Sequence, residues 1–264
     1  MANEKFRCLR RQLPLALALA VGFLLLYPAP VYAMHIAEGI LPANWAAVWY
    51  AVAFIFVALG IRLIRRRTRE VKGLMPLLGL AGAVVFLISV FPIPVPIAGT
   101  CSHPCGTPLA AILVGPFIST VLGALALLIQ ALFLAHGGLS TWGANIVSMG
   151  LVGSFVGFGV FVLFRRFNAT IFVAALLAGL LGDWATYATT SFELASALHG
   201  AGSLWSMFGA IAVAFAPTQL LLGIVEGLFS GGVVTLIYQR RPELLSHLAP
   251  GVFKPIPGAV EEDS

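Results

Sequence analysis

The sequence predicts an all-α integral membrane protein with about seven transmembrane helices after removal of a signal peptide, one of them short or re-entrant. Three observations carry this. Of 264 residues, 60% are hydrophobic and only 9% charged, with a mean hydropathy of +1.00. Soluble domains run near ~25% charged, so a surface this poor in charge needs lipid as its solvent. Second, the arginines cluster where apolar stretches end, at Arg62–Arg69, Arg165-Arg166 and Arg240-Arg241. That placement is a topology signal and not a nucleic-acid footprint. Third, the chain opens as a secretory signal does.

Residues 1–33 supply that signal. Lys5, Arg7, Arg10 and Arg11 precede an uncharged run from Leu13 to Leu26. Pro28 and Pro30 break the helix before Val31 and Ala33, small residues at the −3 and −1 positions of a cleavage site. The apolar run falls short of the ~20 residues that cross a bilayer. Cleavage after Ala33 makes Met34 the mature N-terminus, outside the cytoplasm. Translation starting at Met34 gives the same N-terminus, because a bulky His35 keeps the initiator Met.

The mature domain spans 34–241. A first helix, Asn44 to Arg66, ends on the arginine-rich cytoplasmic loop. A second, Leu74 to Phe91, returns outward, and Pro92, Pro94 and Pro96 force an extended loop to Gly106. The next cytoplasmic mark is Arg165-Arg166, so an odd number of crossings lies between. Phe117–Ala135 and Gly143–Phe164 are two. The third is the short stretch Thr107–Val114, closed by Gly115-Pro116 and read as half-depth, with its ends covered by neighbours. Thr170 to Thr190 exits, and a last helix within Trp205 to Tyr238 ends at Arg240-Arg241. Gly153/Gly157 and Gly227/Gly231 have the spacing of close helix contacts. The tail 242–264, rich in Pro and Gly, reads as cytoplasmic and mostly disordered. The chain is a multi-pass protein of the bacterial inner membrane, with its mature N-terminus outside and its C-terminus inside.

This topology puts Met34-His35 and Cys101-Ser102-His103-Pro104-Cys105 on one face. A free amine at Met34 has an ordinary pKa of about 7.7–8.0. The amine and the His35 amide nitrogen close a five-membered ring on a metal; the amide and His35 Nδ1 close a six-membered one. His103 can supply a fourth nitrogen, and four nitrogens in a plane suit Ni(II) or Cu(II), while imidazoles serve several late divalent metals. A lone histidine at an interface is more often a structural one; two facing one compartment, one beside the amine, weaken that reading. His136 lies near the outer surface as a transient metal contact. Asn145 is placed to orient a ligating imidazole from behind, and Asp183, Gln219 and Glu226 need polar partners at membrane depth.

Met34-His35-Ile36-Ala37-Glu38-Gly39-Ile40-Leu41-Pro42 resembles the mature start of the cobalt/nickel substrate-capture proteins (CbiM/NikM) of energy-coupling-factor transporters. Cys101-Ser102-His103-Pro104 with Gly106-Thr107 resembles that family's metal loop. Similar stretches follow at Gln130–Gly150 and Leu181–Ser191, so the resemblance covers most of residues 34 to about 240. It implies ligation of Co(II) or Ni(II), the transported substrate, by the Met34 amine, the His35 backbone and ring nitrogens, and His103. It also implies partners: a transmembrane coupling component, cytoplasmic ATPases and a small accessory membrane subunit. Ala37 and Cys105 depart from the family's usual residues.

Cys101 and Cys105 are the cysteines that remain after cleavage, and Cys8 leaves with the signal. A loop disulfide, free thiols and thiolate ligation of the metal all stay open. A membrane thiol-disulfide oxidoreductase is the competing function, but it needs a redox relay that no second cysteine pair supplies. The chain contains no phosphate-binding G-x-x-x-x-G-K-[ST] loop, so the reading is a non-enzymatic transporter subunit whose energy comes from other chains. The Cys-Ser-His-Pro loop and signal peptide incline the resemblance to cobalt, with nickel as the other ion.

Overall fold

In the computed structural model, residues 35–90, 93–95, 100–248 and 253 are described. The signal peptide, Met34 and residues 254–264 lie outside them. Helix α1 (Ala43–Glu70) buries Ala46, Ala53 and Gly60. These small residues recur every seventh position and form a narrow seam, so most of α1 faces lipid. Helix α2 (Leu74–Ser89) follows a left-handed Gly73. Beyond it the proline-rich loop contains a short antiparallel ladder, β1 (Ile93–Val95) against β2 (Thr100–Ser102), with Ile93 opposite Ser102. The sequence predicts extended backbone here but not its pairing.

Helix α3 (Thr107–Val114) is the short element, and every residue except Leu113 is buried. Gly115 and Pro116 turn the chain into α4 (Pro116–Phe133). The α4 start sits at mid-depth: a Cβ on Gly60, ten residues before the end of α1, would overlap the Phe117 carbonyl. At ~1.5 Å per residue, eight residues reach only about 12 Å, so α3 crosses roughly half of a ~30 Å hydrocarbon core. Its ends are covered, as the backbone requires. Glu226 accepts hydrogen bonds from the Cys105 and Gly106 amides (2.6 and 2.8 Å). At the other end Arg67 donates to the Val114 carbonyl (3.3 Å) and to that of Leu248 (2.7 Å).

The next span is one continuous rod in three parts: α5 (Trp142–Asn145), a π-helical segment (Ile146–Val152) and α6 (Gly153–Arg166). A π turn leaves carbonyls poorly paired. Here Thr107 Oγ1 donates to the Met149 carbonyl (2.6 Å) and Thr120 Oγ1 to that of Gly150 (3.1 Å). Helix α7 (Ile171–Leu198) is capped by Thr170, and α8 (Leu204–Arg240) by Ser203. They run antiparallel along their length: Trp184 Nε1 donates to the Gln219 carbonyl (3.1 Å), and Gly231 lies against Phe172. The expected glycine pairs make these approaches: a Cβ on Gly227 would meet the Leu176 carbonyl at 2.6 Å, and one on Gly157 would meet Pro108 Cβ at 2.7 Å.

Among the described residues five helical spans are long and apolar enough to cross a membrane: α1, α4, the α5–α6 rod, α7 and α8. Helix α2 is apolar but shorter. The tail corrects one expectation. Residues 242–248 form a helix, α9 (Pro242–Leu248), where a disordered segment is predicted. Leu245 is fully buried against the α3, α6 and α7 core, and Leu248 against α2 and α3. Three leucines within five residues give this turn an apolar face, and burial offsets the helix-breaking composition around it. Farther on, Phe253 packs its ring on Phe161 of α6 and Tyr238 of α8.

Candidate metal centre

Three segments far apart in sequence meet at one end of the bundle. They are the irregular start from His35, the loop 102–106, and the α4–α5 turn at His136. His35, His103 and His136 are 2%, 0% and 7% exposed. Their rings lie edge to face, His35 4.8 Å from His103 and 4.9 Å from His136 between centroids. One ring nitrogen from each lies within 4.8 Å of the others. Three nitrogens spaced evenly round one divalent ion, each at about 2.1 Å, stand about 3.6 Å apart. Closing by about 1 Å therefore brings all three to one ion.

Hydrogen bonds fix which nitrogens carry lone pairs. Gln130 Nε2 donates to Ser89 Oγ (2.7 Å), so Gln130 Oε1 faces His35 Nε2 (3.0 Å) as an acceptor. His35 Nε2 must then carry the proton, and Nδ1 the lone pair. That is the nitrogen the six-membered chelate ring requires. His103 Nδ1 pairs with the Pro104 carbonyl (2.9 Å), which likewise puts its proton on Nδ1. His103 Nε2 and His136 Nε2 are buried with no hydrogen-bond partner. A metal ligand whose other nitrogen is tied to a carbonyl or amide is the usual oriented state.

Burial and its like-charged neighbours hold His35 well below the ordinary 6.5. Burial, then His136, brings His103 down to about 3, and burial lowers His136. All three are neutral near pH 7. Because the folded values are the lower ones, protons bind the open loops first, and the closed cluster weakens as pH falls below about 6.5.

The first residues of the domain are pinned by the α4–α5 turn. Asn145 Oδ1 accepts from the Ile36 amide (2.8 Å), and its Nδ2 donates to the Ile36 carbonyl (3.3 Å). Thr141 Oγ1 donates to the same carbonyl (2.5 Å). Asn145 thus clamps the backbone next to His35 through Ile36. Glu38 accepts from the Ser140 amide (3.0 Å). Gly138 lies so close that a Cβ there would sit 2.6 Å from the Glu38 amide nitrogen and Cα. Gly138→Ala is expected to push this segment away and cost about 1–3 kcal/mol, the usual range for overpacking, with thermal melting as the check. Gln130→Leu frees the His35 tautomer and is expected to weaken ion binding about 10–100-fold, measured by calorimetry.

The loop 102–106 is held from the other side by α7 and α8. Gln219 Nε2 donates to Ser102 Oγ (2.5 Å), and Thr218 Oγ1 lies 3.2 Å from it. Tyr187 donates to the His103 carbonyl (2.9 Å). Asp183 Oδ1 accepts from the Cys105 thiol (3.5 Å). Cys105 is free and buried, so the disulfide that the sequence leaves open is not formed; the Cys101 side chain lies outside the described residues. His136, expected near the surface, is a full member of the cluster. Gln130 and Tyr187 carry no sequence signal of their own: one is a lone amide in an apolar helix, the other an interfacial aromatic.

The fold and this centre define a class: a polytopic membrane protein with a buried histidine cluster at one end of its helices. The comparisons narrow it. The family model for the cobalt uptake substrate-specific transmembrane region matches residues 35–244, and the chain belongs to that family. It is 57% identical over 228 residues to the cobalt transport protein CbiM of Geobacter sulfurreducens, covering 86% of this chain and 66% of that one. It is 53% identical over 226 residues to the CbiM protein of Sorangium cellulosum, covering 86% of this chain and 100% of that one. A crystal structure of a truncated transition metal transporter superposes with a TM-score of 0.69 at 28% identity, over 78% of this chain and 99% of the other.

Proposed function

We propose that the chain is the metal-binding membrane subunit of an ATP-driven cobalt importer, and that it captures Co(II) from outside with its processed N-terminus. The observation that carries the reading is the convergence of His35, His103 and His136 within 4.8 Å, with their lone pairs set by Gln130 and Pro104. In this reading signal cleavage frees the Met34 amine. The amine, the His35 amide and His35 Nδ1 bind in one plane, and His103 Nε2 completes it. His136 Nε2 stands beside the plane as a further nitrogen. Ni(II) fits the same nitrogens, and the relatives' names favour cobalt.

The energy comes from cytoplasmic ATPases through a transmembrane coupling component, with a small accessory membrane subunit as a further partner. Seven membrane elements, α3 among them as a half-span, put the amine outside. The contact of Arg67 with Val114 and Leu248 supports placing the arginine end of α1, the inward-pointing end of the half-span α3 and α9 on the side away from the histidine cluster. The positive-inside rule makes that end cytoplasmic.

Binding in this form releases protons. Below the amine pKa of about 7.7–8.0, each ion displaces one proton from the amine and one from the His35 amide. The apparent affinity is expected to fall about 100-fold per pH unit there and about tenfold per unit above it. A Co(II) titration from pH 6 to 9 tests the function, and an affinity that does not change over that range sinks it.

A further inference from the structure

The loop 102–106 descends along the α7 and α8 faces in rungs. Ser102 meets Gln219, His103 meets Tyr187, and Cys105 meets Asp183 and Glu226. Asp183 lies four residues from Tyr187 on α7 and Glu226 seven from Gln219 on α8, about 6 and 10 Å along the helix axes. The third rung is therefore deeper than the histidine cluster and on the far side of Pro104. Ligand atoms of Cys105, Asp183 and Glu226 all lie within 4.8 Å of one another, and the three residues are 0%, 0% and 2% exposed.

Two carboxylates this close, in lipid-shielded protein, need a shared proton or a cation between them. Glu226 is anchored by the Cys105 and Gly106 amides, which point it at the cluster. Asp183 gives Oδ1 to the Cys105 thiol, while its Oδ2 is fully buried with no hydrogen-bond partner. Below the histidines, then, stand a buried thiol and two carboxyl groups, Asp183 and Glu226, that bond each other side chain to side chain and lie within ligand distance of the sulfur. A thiolate with two carboxylates is a mixed soft–hard set that a late divalent transition ion accepts.

We propose that Cys105, Asp183 and Glu226 form a second, inner ion position, so that one loop serves two sites: His103 on the outer and Cys105 on the inner. The inner position takes the ion in transit after the outer nitrogens release it. This rests on the proposed role in divalent-ion import, but its signature is separate, because the proposed outer ligands are nitrogens and include no thiolate.

The test is a Co(II) titration of the processed full chain in detergent, followed by near-ultraviolet absorption and by bound cobalt per chain. The expected result is two ions per chain and a thiolate-to-cobalt charge-transfer band. Cys105→Ser removes the band and one ion, Asp183→Asn weakens that ion at least about tenfold, and His103→Ala leaves the band in place. Circular dichroism of the two near-isosteric variants confirms that they fold. The proposal is overturned by a single ion with no band at excess cobalt, or by a band that survives Cys105→Ser and vanishes in Cys101→Ser. In the unsubstituted chain, a single ion that carries the band overturns the N-terminal capture reading and leaves the inner site standing.

Discussion

Two residues added ahead of Met34 are expected to lower Co(II) affinity by about four orders of magnitude, ~5.5 kcal/mol, and to abolish uptake. The extension turns the Met34 amine into an amide and removes two chelate rings at once. The two-residue length is chosen for a chemical reason. A single added residue would place His35 third, and the new amine, two amides and the imidazole would themselves form a four-nitrogen plane. Such a variant binds Ni(II) or Cu(II) without the loop and would disguise the effect. Calorimetry on wild type and on the extended variant, with the first residue of each verified by mass spectrometry, measures the difference. Helix content should not change, because Ile36 stays clamped by Asn145 and Thr141.

His103→Ala is the second large effect. It removes the only loop nitrogen whose lone pair is buried and aimed at His35 from the 102–106 side. A loss of about 100-fold or more is expected, ~2.8 kcal/mol. The backbone of the loop is held by Tyr187, Gln219 and Glu226 through groups other than the imidazole. Stability should therefore fall far less than binding does. Comparing the thermal midpoint with the cobalt isotherm separates the two.

The membrane architecture is legible in the sequence because lipid enforces it. A bilayer demands long apolar helices, and five of the described spans are long and apolar enough to cross one. The short helix Thr107–Val114 is legible because Gly106 and the Gly115-Pro116 break bound it. His35 and His103 are legible as a pair because each stands in a short polar stretch between apolar helices. His136 is legible as a candidate contact, but its burial is not, because that depends on how the α4–α5 turn folds back over His35. Its Gly137-Gly138 neighbours are the trace of that contact: Gly137 has φ of +81°, and a Cβ there would sit 3.0 Å from His35 Cβ. Asn145 is legible as a polar residue needing a partner, but the partner, the Ile36 backbone, leaves no pattern in residue spacing.

The α9 helix escaped for a related reason. Residues 242–248 are short, preceded by Arg240-Arg241 and followed by Pro250, and their apolar face shows only against α2 and α3. Likewise the polar residues Asp183, Gln219 and Glu226 announce themselves at membrane depth, but their common partner, the loop 102–106, emerges only from the packing of α7 on α8.

The central claim is that the processed N-terminus itself is a ligand, and proton release tests it most directly. Calorimetry of Co(II) binding at pH 7, on chain verified to begin at Met34, is run in buffers of differing ionisation enthalpy to count protons per ion at the outer site. The Cys105→Ser variant isolates that site. The account predicts about two, one from the amine and one from the His35 amide. Binding with no proton release would mean that the neutral imidazoles of His35, His103 and His136 hold the ion alone, and would contradict it.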